Sequence, residues 1–309
     1  MPPGESPAIS RVCVMGASGL MGTALLSGLH KSGVAVTAFS RKRHSDRPGF
    51  GHWNPEAGLI EVERLHGDAV VNLAGSNLGD WRWTDARKRS FWSSRVESTE
   101  LLCRTLAALD DPPRVLINAS GAGYYGDRGE EAVFEDSPPG SGFLAELCQA
   151  WEAATAPAAA AGIRVVQLRF GVVLTPRGGA LARMLVPFRL GLGARLGGGQ
   201  QRMPWIALAD AVGAVAFALR NSELSGPVNA VAPESVSNAQ FTDVLAGVLG
   251  RGTFVPVPGI ALRAMFGGEM AREMLLTGAN VRPRKLEESG YRFEYPRLQD
   301  ALDAMLGRG

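Results

Sequence analysis

Gly16, Gly19 and Gly22 stand at G-x-x-G-x-x-G spacing directly after the apolar run Arg11–Met15, and a helical pattern begins at Leu20. Glycines in a strand-to-helix turn let the backbone approach a pyrophosphate, and the free N–H groups at the start of the following helix attract it. The chain has 39 glycines, so the placement between strand and helix carries this reading, not the triplet alone. A second clue stands at the end of the next strand pattern, residues 34–39. It runs into Ser40, Arg41, Lys42 and Arg43 with no acid. Enzymes that select NAD place Asp or Glu there for the ribose hydroxyls, whereas cations accommodate the 2′-phosphate of NADP. The pattern predicts a site for NADP(H), preferred over NAD(H).

These residues must be positioned by elements. Apolar or alternating runs at 11–15, 34–39, 68–73, 115–119 and 163–168 read as strands, and residues 20–32, 84–109 and 143–161 as helices. Residues 41–67 give no helix. The alternation predicts an α/β fold, a Rossmann-type doubly wound parallel sheet, with ligands beyond the carboxyl ends of the strands. Loops starting at Gly16, Ser40, Ala74, Ser120 and Arg169 should then line one crevice. Residues 1–10 read as a flexible tail and 11–170 as the dinucleotide-binding domain. Residues 171–309 read as a smaller mixed α/β substrate lobe, partly interleaved with the first. That lobe is glycine-rich over 171–204 and helical near 209–220, 238–250 and 260–277.

Composition narrows the function classes. The chain has 309 residues, 46% hydrophobic and 20% charged, enough for about two lobes of roughly 150 residues with a packed core. A net charge of +2 supplies no basic stripe for nucleic acid. Three distant cysteines and four scattered histidines give neither a disulfide framework nor a metal site. The first ten residues lack a signal-peptide pattern, and no apolar run nears the ~18 residues of a membrane helix. The expectation is a cytoplasmic protein with a small-molecule substrate and neither nucleic acid nor membrane as partner.

The glycine turn, Asn72-Leu-Ala-Gly75 and Tyr124-Tyr-Gly126 resemble the extended short-chain dehydrogenase/reductase superfamily. Further strings narrow it: Ser94-Arg-Val-Glu-Ser-Thr99, Phe143-Leu-Ala-Glu-Leu-Cys148 with Trp151-Glu152, and Leu185-Val-Pro-Phe-Arg-Leu-Gly-Leu-Gly193. So do Pro204-Trp-Ile206, Asp210, Asn229-Ala-Val-Ala-Pro233 and Pro283-Arg-Lys-Leu286. Together they resemble the atypical "epimerase family protein" subgroup, also labelled cell-division-inhibitor-like. Its C-terminal domain of unknown function would cover about residues 255–303 here. The resemblance implies a pyrophosphate site at Gly16, Ser18, Gly19, Leu20, Met21 and Gly22. It further implies a 2′-phosphate on Arg41 and Arg43 next to Ser40, an adenosine and ribose side at Leu73, Ala74 and Gly75, and possible homodimers.

Active members of the superfamily use a Tyr-x-x-x-Lys pair with a Ser or Thr. The tyrosines are Tyr124, Tyr125, Tyr291 and Tyr295, and four residues beyond them stand Arg128, Gly129, Tyr295 and Gln299, so the pair is absent. Placing Trp151-Glu152 on the family pattern puts Leu144 at the tyrosine position, Cys148 at the lysine, Gly121 at the serine and Arg95 at an asparagine. The subgroup shares such departures. Ser120, Tyr124 and Tyr125 are the remaining candidates for catalytic proton transfer, with packing or substrate positioning as the alternative for the two phenols. Cys148 is a thiol facing the nicotinamide or a small buried apolar residue. Arg95 neutralises an anionic substrate or ties helices together. Gln201 and Trp205 lie in a loop that the resemblance places over the substrate, Trp205 as contact or core filler. The expected function is an NADP(H)-dependent oxidoreductase or epimerase of atypical mechanism on a small polar or sugar-like molecule. The alternative is a non-catalytic NADP(H)-binding redox sensor or partner-docking protein.

Overall fold

A computed structural model of the chain describes residues 9–42, 47–80, 82–253 and 255–307. Its first strand, β1 (Arg11–Met15), shows why the sheet forms. Val12 and Val14 point to one face and Cys13 and Met15 to the other, all of them buried. That double burial is the mark of a parallel sheet covered on both sides. Beside β1 run β2 (Ala35–Ser40) and β3 (Phe50–Asn54), with β4 (Leu59–Ile60) antiparallel at the edge. On the other side lie β5 (Ala69–Asn72) and β6 (Val115–Gly121). Ala132–Val133 forms β7, a strand outside this sheet. Next come β8 (Arg164–Phe170) and the short β9 (Val172–Leu174), β10 (Arg202–Met203) and β11 (Trp205–Ala207). The sheet ends on β12 (Gly226–Ala230), giving eight strands in the order β12-β8-β6-β5-β1-β2-β3-β4. Strand order therefore reverses between β1 and β5, the place where such sheets open a ligand crevice.

Helix α1 (Leu20–Lys31) and the helix Leu208–Arg220 cover one face through Leu25, Leu29, Ala211, Ala214 and Val215. The other face is closed by Leu102, Cys103, Leu106 and Ala158. Truncating a fully buried side chain such as Leu102 to Ala costs about 2–5 kcal/mol. A third core forms from the helices Gly179–Arg189, Asn238–Val248 and Leu298–Leu306 around Trp205 and Phe241. The carboxylate of Asp210 accepts hydrogen bonds from the amides of Glu294 (2.7 Å) and Tyr295 (3.0 Å), tying the C-terminal segment to the helix under the sheet. No described helix is long and apolar enough to cross a membrane.

Four stretches differ from the sequence expectation. Residues 41–67 include β3 and β4. Gly51 in β3 lies under Phe39, where a Cβ would fall 2.6 Å from the ring, so the strand carries a glycine for closeness. Residues 84–109 form α2 (Asp85–Trp92) and α3 (Ser98–Ala107), joined by a π-helical turn at Ser93–Glu97. Residues 143–161 split into α4 (Phe143–Ala153) and a short helix Ala156–Ala160, because Pro157 lacks an N–H and fits only a first turn. The glycine-rich span contains the helix Gly179–Arg189, and Gly197 and Gly199 lie in coil hydrogen-bonded to Val257 and Leu196.

Candidate functional site

The glycine turn is built for a close approach. Gly16 has φ +76°, and a Cβ there would lie 2.7 Å from the Leu73 carbonyl group. A Cβ on Gly22 would lie 2.3 Å from the Gly16 oxygen, so the first turn of α1 packs against the loop only as glycine. Gly19 caps α1 without any side-chain hydrogen bond, and the first turn holds no acid. Leu20, Met21 and Gly22 therefore offer their N–H groups at the positive end of a 12-residue helix. Ser18 and Leu20 are exposed and Met21 half-buried. A Cβ on Gly178 would meet Leu20 at 3.3 Å, so the chain just before the helix Gly179–Arg189 packs on the turn here.

At the end of β2 the Ser40 hydroxyl donates to the Lys42 carbonyl at 2.9 Å and accepts from the Lys42 amide at 3.1 Å. This turn leaves Arg41 and Lys42 exposed. Arg43 lies outside the described residues. The arrangement fits a dinucleotide with a 2′-phosphate: a bare helix start free of acid, and two exposed cations, Arg41 and Lys42, at the end of β2. Leu73, Ala74 and Gly75 continue β5 into the crevice, Gly75 exposed.

Below that rim lies a polar chain that sequence reasoning missed. Asn72 donates to Thr99 (3.0 Å) and Asn118 (2.8 Å), and its oxygen accepts from the Ala74 amide at 3.2 Å. Trp151 donates to the same Thr99 at 2.9 Å. Four elements, β5, β6, α3 and α4, are thus pinned together under the crevice.

The candidates near β6 divide sharply. Ser120 is buried and donates to Glu152 at 2.7 Å. Glu152 is gripped by Arg169 through Nε and Nη2, both at 2.8 Å. Arg169 also donates to the Tyr125 hydroxyl at 2.8 Å and to the Glu135 carbonyl at 3.2 Å. Burial alone would lower the Arg169 pKa, yet Glu152 and Tyr125 outweigh it and hold the guanidinium above its usual range. Tyr125 is fully buried and donates to Asn229 at 2.7 Å. Burial pushes its phenol up to about 12 despite the Arg169 charge. Tyr124 is half-buried with its ring 3.4 Å from the Arg169 guanidinium, and its hydroxyl makes no hydrogen bond among the described residues. The sequence signal for this cluster is an arginine directly after the apolar run 163–168, together with Glu152 in the helical pattern 143–161.

Arg95 sits on the π turn between α2 and α3, 8% exposed. Its Nη2 donates to the Ser76 carbonyl at 2.9 Å, and its Nη1 is buried without a partner among the described residues. Cys148 is buried on α4, 3.5 Å from where a Gly121 Cβ would be. Burial and the Glu152 charge push its thiol up to about 11, so it stays protonated near neutral pH. Leu144 packs on Gly123. Gln201 donates to the carbonyls of Leu196 (3.0 Å) and Leu275 (2.6 Å), and Trp205 is buried with its indole on the Glu234 carbonyl. Those two side chains are tied to neighbouring backbone carbonyls. Among the described residues no cluster of metal-ligating groups occurs.

The model of the NAD dependent epimerase/dehydratase family matches residues 12–231, and that of a domain of unknown function, DUF1731, matches residues 257–305. The chain is 44% identical over 292 residues to epimerase family protein Mb2239 of Mycobacterium bovis, covering 94% of this chain and 96% of that one. It is 39% identical over 297 residues to human epimerase family protein SDR39U1, covering 94% and 98%. The crystal structure of human SDR39U1 (isoform 2) with NADPH superposes with a TM-score of 0.87 at 36% identity, covering 97% of this chain and all of that one. The chain therefore belongs to the NAD dependent epimerase/dehydratase family and carries the DUF1731 domain at its C-terminal end.

Proposed function

We propose that the protein is an NADP(H)-binding oxidoreductase or epimerase acting on a small polar, sugar-like molecule by an atypical proton path. The observation that carries the reading is the bare, acid-free start of α1 in the crevice, with Arg41 exposed at the end of β2. The NADPH of the human relative's structure supports the same choice of cofactor. Bound there, the nicotinamide would supply hydride chemistry. Gly19, Leu20 and Met21 would hold the pyrophosphate, Arg41 the 2′-phosphate, and Leu73, Ala74 and Gly75 the adjoining ribose.

Among the hydroxyls of the site, Tyr124 is the one suited to hold or pass a proton. Those of Ser120 and Tyr125 already donate to Glu152 and Asn229. The Arg169 guanidinium lies over the Tyr124 ring and holds it in place, 3.4 Å from the ring centroid. The commitment of Ser120 and Tyr125 also favours a second reading, a non-catalytic NADP(H) sensor.

Fluorescence titration with NADPH and NADH tests the cofactor reading. NADPH should bind the wild type at least about tenfold more tightly, a difference of about 1.4 kcal/mol, and Arg41→Ala should remove most of that difference. Equal affinity for the two would refute it.

A further inference from the structure

Arg95 is a cation that the protein buries and leaves incomplete. It makes one hydrogen bond, to the Ser76 carbonyl, and no ion pair among the described residues. Burial pushes its guanidinium down to about 10. A buried charge is ordinarily paired with a carboxylate or coordinated by one.

The side chain is also held rigidly. The π turn carries it, and such turns recur at functional sites. Ser94 accepts from the Ser76 amide at 3.1 Å and shares a 2.9 Å hydrogen bond with the Ser76 hydroxyl, fixing the loop to the turn. Gly75 admits the guanidinium, since a Cβ there would lie 3.0 Å from Cζ. The Trp151 ring stands 5.2 Å away. A tether from Ser76 to this turn needs one donor. Among the described residues the unused Nη1 serves no protein group.

We propose that Arg95 is the seat of an oxyanion, a carboxylate or phosphate group, carried by the substrate in the crevice. This rests on the dinucleotide reading above. The guanidinium lies against Gly75, which is exposed at the end of β5, and the side chain keeps 8% of its surface exposed there. The planar fork matches an oxyanion in two hydrogen bonds. A hydroxyl would leave the charge unbalanced. The cofactor's own phosphates have separate places, at the start of α1 and at Arg41.

The test uses the full chain saturated with NADPH, titrated with malonate and, in a separate arm, with inorganic phosphate, followed by melting temperature and calorimetry. At least one anion should raise the wild-type melting temperature by a few degrees, and the arm that responds assigns the group as carboxylate or phosphate. Arg95→Met should give no anion response, should melt at or above the wild type without anion, and should bind NADPH within about threefold of it. Equal anion responses in the two proteins, no response of the wild type to either anion, or an NADPH affinity about tenfold weaker in Arg95→Met would overturn the proposal. Should Arg95→Met fail to fold, Arg95→Lys decides. It keeps the charge and loses the fork, so anion binding should weaken at least about fivefold with NADPH binding kept, and unchanged anion affinity refutes the proposal. A wild type that does not bind NADPH ends the dinucleotide reading before any anion is added. The same anion arms, run on the protein alone, then still decide Arg95.

Discussion

Arg169 and Arg95 are two buried arginines beside the same crevice, and the protein treats them in opposite ways. Arg169, 2% exposed, is held by both oxygens of Glu152, by the Tyr125 hydroxyl and by the Glu135 carbonyl. Its charge is fully spent on the fold. Arg95, 8% exposed, has one carbonyl and a free Nη1. A saturated buried network fixes one arrangement of the core. An unsaturated one persists where something outside the chain completes it. The pair thus separates the part of the site that shapes the crevice from the part that meets its occupant.

The contrast can be broken most forcefully at Glu152. Glu152→Ala leaves Arg169 as an uncompensated buried cation and should cost about 3–5 kcal/mol in chemical denaturation. A loss under about 1 kcal/mol would mean that the network is not saturated in solution.

Tyr125→Phe removes one acceptor from Arg169 and one donor to Asn229, with an expected cost of about 1–3 kcal/mol. Its pH dependence has a defined sign. The folded pKa of about 12 lies above the ordinary value of 10.0. The hydroxyl's contribution is therefore complete below pH 10 and is lost as pH rises toward 12. Denaturation of the wild type and Tyr125→Phe across that window should show the difference between them closing.

Gly22→Ala places a methyl against the Gly16 oxygen, and NADPH affinity should fall at least about tenfold, or about 1.4 kcal/mol. The smallest effect belongs to Arg95→Met. Removing an unpaired buried charge should leave thermal stability unchanged or raised, against the large loss at Glu152.

The glycine turn was legible in the sequence because its requirement is local: backbone geometry within a few residues of a strand. The parallel sheet was legible for the same reason, as two-sided burial writes itself into short apolar runs. The state of the two arginines was not. Glu152 and Arg169 are 17 residues apart, and nothing short of the fold brings α4 against β8. Tyr124 and Tyr125 are neighbours in sequence, yet one ring lies partly in the open and the other is buried, a distinction set by which way a short turn faces. The π turn that carries Arg95 has the same apolar spacing as an α-helix, so periodicity reads through it. The helix Gly179–Arg189 was hidden by its opening glycines and by Pro187.

The chemistry of the crevice is set by where a dinucleotide lies relative to these groups, and a crystal structure of the protein with NADPH measures that directly. It should place the pyrophosphate on the N–H groups of Leu20 and Met21, the 2′-phosphate on Arg41, and the nicotinamide toward Gly121. Tyr124 or Arg95 should then border the space beside its reactive carbon. A nicotinamide with no polar side chain within about 3–4 Å of that space would contradict the enzymatic reading, and a dinucleotide bound away from the glycine turn would contradict the account entirely.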